Sequence, residues 1–117
     1  EKALTYYRGD YLEEVYADWS DLERQRLRER YLLALETLAG LYADRRKLKR
    51  AVELYTGLLN EDSYREAGHR GLMRCFYRQG NRAAAIKQYW ACVEILSEEL
   101  GLSPAAQTEA LYLKIIA

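Results

Sequence analysis

The chain has 117 residues, enough for one ordinary domain, with 50% apolar and 31% charged residues. Eighteen cations balance eighteen acids, which excludes a disordered chain and a generally basic coat for nucleic acid. No apolar run nears the roughly 18 residues of a membrane span, and the first residues do not read as a signal peptide, so no membrane segment is expected.

The charge divides unevenly. Residues 1–63 carry 11 basic and 13 acidic groups, and residues 64–117 carry 7 and 5. The excess of cations therefore lies in the second half. Cys75, Cys92 and the one histidine, His69, are too few for a disulfide framework or a four-ligand zinc site. Two buried thiols in a reducing cytosol are expected, with no metal and no cofactor.

One proline and an abundance of Ala, Leu, Glu, Arg and Lys predict an all-α protein. In chain order, the reading begins with a helix near 1–8 and an irregular aromatic stretch over 9–19. Ser20-Asp21-Leu22-Glu23 has the form of a capping box and opens a predicted helix over 21–43. The next helix covers 47–61. A second capping box, Ser63 to Glu66, opens one over 64–79. Gly80 stands where a C-cap belongs, before a helix over 82–100, and Gly101 follows that one. Ser103-Pro104, an N-cap and a first-position proline, opens the last helix, 104–116.

The helices recur every 34 residues. That shift maps Leu38 onto Leu72, Tyr42 onto Phe76, Ala51 onto Ala85, Tyr55 onto Tyr89 and Leu59 onto Val93. A helix–turn–helix unit of this period resembles the tetratricopeptide repeat. Arg46 departs from its pattern where Gly is usual, and Met73 where a small residue is. The expected fold is a helical repeat of about two 34-residue units, wound as a right-handed superhelix. The boundaries are an N-terminal cap over 1–19, repeats over 20–65 and 66–99, and a capping helix over 100–117. Trp19 and the tyrosines at 6, 7, 11 and 16 would dock the N-terminal cap. An unrelated five- or six-helix bundle is the alternative.

Several stretches carry a closer resemblance. They are Tyr7 to Leu12, Asp18-Trp19, Glu23 to Leu27, Tyr64 to Met73, Gly80 to Tyr89, and Glu98 to Pro104 followed by Thr108. In that order they resemble the bacterial transcriptional activator domain of SARP-type regulators, over nearly the whole chain. The resemblance implies a helical module of a cytoplasmic transcription factor in which a winged-helix DNA-binding domain usually comes first. Nothing here resembles that domain, so the chain reads as a fragment, and DNA would be reached only through the missing part. The implied partners are proteins: the regulator's own DNA-binding domain, RNA polymerase subunits, or a second copy. A generic peptide-binding scaffold and an RNA-binding helical repeat are the alternatives.

Arg70, Arg74 and Arg78, spaced by four, share a helix face with Tyr77. Arginine forks suit carboxylates and phosphates, so this stripe is a candidate groove for an acidic partner. The blander reading, which the sequence favours, is a solvated or internally paired face, with Glu36 and Asp44 at the equivalent positions one repeat earlier. Arg45, Arg46, Lys47, Lys49 and Arg50 form a second basic patch after a helix C-terminus, where cations favour the helix dipole. That patch suits a solvated turn or a phosphate contact. His69 falls at a packing position. The sequence has no phosphate loop, nucleophile elbow or metal spacing, so no catalysis is expected.

Overall fold

The computed structural model describes residues 2–117, with side chains described from Trp19 onward. The protein is a helical repeat. Its elements are α1 (Lys2–Asp44), α2 (Leu48–Glu61), α3 (Glu66–Arg78), α4 (Arg82–Ile95), a π-helical extension of α4 (Leu96–Leu100), and α5 (Ala106–Ile116).

The chain divides into two units, residues 1–31 and 32–117. In the first, the described apolar side chains Trp19, Leu22, Leu27 and Tyr31 are all exposed. The side chains of Tyr6, Tyr7, Tyr11 and Tyr16 lie outside the described residues. The stretch over 9–19, expected to be irregular, falls within α1, and Ser20 lies inside that helix rather than at its start. Ser and Asp cost little in a helix interior, and with no proline nearby nothing obliges the chain to break there.

The second unit buries a core between successive helices. Leu32, Ala39 and Ala43 of α1 pack with Ala51, Leu54, Tyr55 and Leu58 of α2 and with Leu72 and Cys75 of α3. Met73, Ala85, Tyr89 and Ile115 form the next cluster, across α3, α4 and α5. The 34-residue partners Ala51 and Ala85 are both fully buried. Leu38 departs from its partner. It is 42% exposed where Leu72 is buried, and nothing in the second unit closes over it.

Matching turns show the repeat most directly. After α1, the amides of Arg46 and Lys47 donate to the carbonyls of Ala43 and Tyr42. After α3, the amides of Gly80 and Asn81 donate to those of Tyr77 and Phe76. Every residue of the second set is 34 beyond its counterpart in the first. The turn needs a left-handed residue after the helix. Gly80 takes it at φ 78° and Arg46 at φ 62°.

Three expected caps are not formed as read. Arg65, not Ser63, precedes α3, and Ala105, not Ser103, precedes α5; neither caps with its side chain. Ser20 makes the third. A cap missing from the reading is Asn81, whose side chain accepts from the Ala84 amide at 3.1 Å.

α2 and α3 approach closely at Gly71. A Cβ there would lie 2.2 Å from Cζ of the buried Tyr55 ring. Gly71→Ala gains about 1 kcal/mol of helix propensity. It also forces the ring out of a packed site, and overpacking typically costs about 1–3 kcal/mol, more when a contact is this short. The overlap wins. Urea unfolding should show a net loss of roughly 1–2 kcal/mol.

Candidate functional site

The arginine stripe does not form one surface. Arg70 is drawn into the joint between α3 and α5. Its Nη1 donates to Oγ1 of Thr108 at 3.0 Å, and that hydroxyl donates to Oε2 of Glu66 at 2.6 Å. The same oxygen accepts the Ala105 amide at 2.9 Å and lies 3.7 Å from Arg70 Nη1. Thr108 is fully buried. The carboxylate of α3 thus caps the N-terminus of α5, where unpaired amides and the dipole favour an anion.

Arg74 and Tyr77 stay on the exposed side of α3. Arg74 lies near the Tyr55 hydroxyl. Burial raises the Tyr55 phenol above its ordinary range, and the Arg74 guanidinium opposes that rise. Arg78 turns toward the end of α1, its Nη1 3.4 Å from the Ala43 carbonyl. There it lines an open cleft of about 320 Å³ with Ala43, Asp44, Arg46 and Leu48. The cleft joins the stripe to the second basic patch. Arg45, Arg46, Lys47, Lys49 and Arg50 are all exposed. Arg50 pairs with Glu53 at 2.8 Å, and Lys47 lies 5.9 Å from the Tyr42 ring centre.

Neither Glu36 nor Asp44 forms an ion pair with the stripe. Glu36 accepts from Arg65 Nε at 2.9 Å, holding the start of α3 to α1. Sequence reading missed both this pair and the Glu66–Thr108–Arg70 chain. The one available signal was a threonine four positions after Pro104.

His69 is 2% exposed and bridges three segments. Its Nε2 is 2.8 Å from the Ser63 carbonyl, and its Nδ1 is 2.8 Å from Gln88 Nε2. A carbonyl only accepts, so Nε2 carries the proton and Nδ1 accepts from the amide of Gln88. Burial lowers the imidazole below its ordinary range. Cys75 and Cys92 are buried, and burial pushes the Cys92 thiol up to about 11. Neither sulfur presents a ready thiolate at neutral pH. Among the described residues no cluster of acidic, histidine and cysteine side chains could hold a metal ion, and no helix is long and apolar enough to cross a membrane.

The fold is a helical repeat that leaves Arg74 and Tyr77 exposed on α3. The chain belongs to the family described as the bacterial transcriptional activator domain, which matches residues 1–116. It is 30% identical over 115 residues to the regulatory protein AfsR of Streptomyces coelicolor and 31% identical over 115 residues to that of Streptomyces griseus. Each alignment covers 98% of this chain and 12% of the relative, so the chain spans about an eighth of their length. No solved structure matches the chain.

Two expectations follow from this geometry. Glu66→Ala leaves the buried Thr108 hydroxyl and the Ala105 amide without their acceptor, a cost of about 1–3 kcal/mol. Hydrogen exchange should then accelerate in α5 before it does in α2. The second concerns pH. The folded state holds His69 below its unfolded value of 6.5, so the unfolded chain takes up a proton first. The contribution of His69 is therefore complete above that value and lost as pH falls through the folded one. Between about pH 7.5 and 5.5, the thermal midpoint should fall further for the wild type than for His69→Gln.

Proposed function

We propose that this domain is a non-enzymatic protein-contact module of a cytoplasmic transcriptional activator, with Arg74 and Tyr77 of α3 at the centre of its partner face. The carrying observation is that these two stay exposed while Arg70 beside them is closed by Thr108 and Glu66. Arginine and tyrosine are enriched among residues that dominate protein interfaces. The contact would serve oligomerisation on DNA, docking of the regulator's own DNA-binding domain, or engagement of RNA polymerase. An acidic partner segment fits best, since the guanidinium offers a planar fork to a carboxylate.

The test is Arg74→Gln with Tyr77→Ser in a regulator carrying this domain. Gln retains helix propensity and can still hydrogen-bond near Tyr55. Loss of an interface anchor worth about 1–2 kcal/mol lowers partner affinity about 5- to 30-fold, and activation from the regulator's promoter should fall with it. The thermal midpoint of the domain should hold. Clear destabilisation with unchanged activation per folded molecule overturns this reading.

A further inference from the structure

We infer that the cleft between the α1–α2 turn and the end of α3 is a phosphate site, and that its natural occupant is the backbone of duplex DNA. The inference does not depend on the Arg74–Tyr77 face.

Three observations converge on the cleft. First, two arginines that are 32 positions apart in the chain, Arg46 and Arg78, line it together. Neither forms an ion pair with an acid among the described residues, although Asp44 lines the same cleft. Second, Arg46 sits in the left-handed region at φ 62°, and the equivalent turn of the next repeat uses Gly80. A side chain in that region strains the backbone. Residues held against such a preference cluster at binding and switch sites. Third, Arg45, Lys47 and Lys49 continue the positive surface around Arg46, and Arg50 is the member of the run that pairs with an acid.

The extent of the charge selects the ligand. One carboxylate needs one fork. Three exposed cations continuing a two-arginine cleft, five in all, match a polyanion with regularly spaced charges. DNA is the polyanion beside which a transcriptional activator domain works. Such contacts position a protein without reading bases, so binding through this cleft is indifferent to sequence.

The test is fluorescence anisotropy of a labelled mixed-sequence duplex titrated with the 117-residue chain at several salt concentrations between about 50 and 200 mM. For two to four phosphate contacts, log K should fall with log salt at a slope of about −2 to −4. Arg46→Gly and Arg78→Gln should each reduce the steepness by about one and weaken binding several-fold at low salt. Arg46→Gly should leave the thermal midpoint unchanged or higher, because the turn then has its preferred residue. Lys87→Gln, on an exposed position of α4 that does not line the cleft, should bind as the wild type does. No binding to the duplex at low salt, or equal binding by both cleft variants, overturns the inference. So does binding of a labelled oligoglutamate peptide that Arg46→Gly and Arg78→Gln weaken more than they weaken duplex binding, which would assign the cleft to an acidic protein.

Discussion

The close approach of α2 and α3 at Gly71 sets the geometry on which the second unit depends. With no side chain at Gly71, the Tyr55 ring can lie against the α3 backbone. That contact fixes the distance between the end of one repeat and the start of the next. The same arrangement recurs one unit on with other chemistry. Tyr89, 34 residues after Tyr55, stacks on Tyr112 of α5 at 3.8 Å and donates its hydroxyl to Glu109 at 2.7 Å. Burial, helped by this bond, pushes the Tyr89 phenol up to about 12. The first joint closes by backbone approach. The second closes by ring stacking, with polar bonds at its edge.

The parts of this fold that were legible are those in which residues meet at fixed sequence spacing. Ala51 and Ala85 are small because the two helices of one unit touch there, and the 34-residue shift exposed that. Gly80 marked its turn because a left-handed residue is a local demand. The capping boxes misled because they describe an isolated helix end. Ser63-Tyr64-Arg65-Glu66 has the right letters, yet the Glu66 carboxylate serves the amide of Ala105, 39 positions away. No local pattern carries that information. Tertiary structure had a better use for the carboxylate than its own helix did.

The arginine stripe fails as a unit for a geometric reason. A step of four residues turns about 400°, so each arginine leads the one before by about 40°, and the third leads the first by about 80°. That drift carries Arg70 against α5, leaves Arg74 toward solvent, and turns Arg78 toward the end of α1. Spacing alone placed them on one broad face. What occupies each side of that face depended on helices far along the chain. It split one candidate site into a structural latch, an open surface and one wall of a cleft. The other wall of that cleft comes from a basic patch that the sequence presented as separate.

The distribution of unrelieved cost is informative in such a molecule. Among the described residues every buried polar side-chain atom has a partner, and Arg65, Arg70 and His69 each close a bond between segments. The interior therefore carries little electrostatic penalty. At the α1–α2 turn the pattern reverses. A left-handed arginine, a second guanidinium and three further cations gather with Asp44 as the acid lining their cleft. Glycine would remove the strain, and the matching turn at Gly80 shows that this architecture accepts it. Replacing Arg46 by glycine would also remove a positive charge from the cluster and so ease its repulsion. The helix dipole at the end of α1 offsets part of the cost of the charge at Arg46, but the left-handed backbone brings folding no gain, and that unrelieved strain is what sets this turn apart from its counterpart at Gly80.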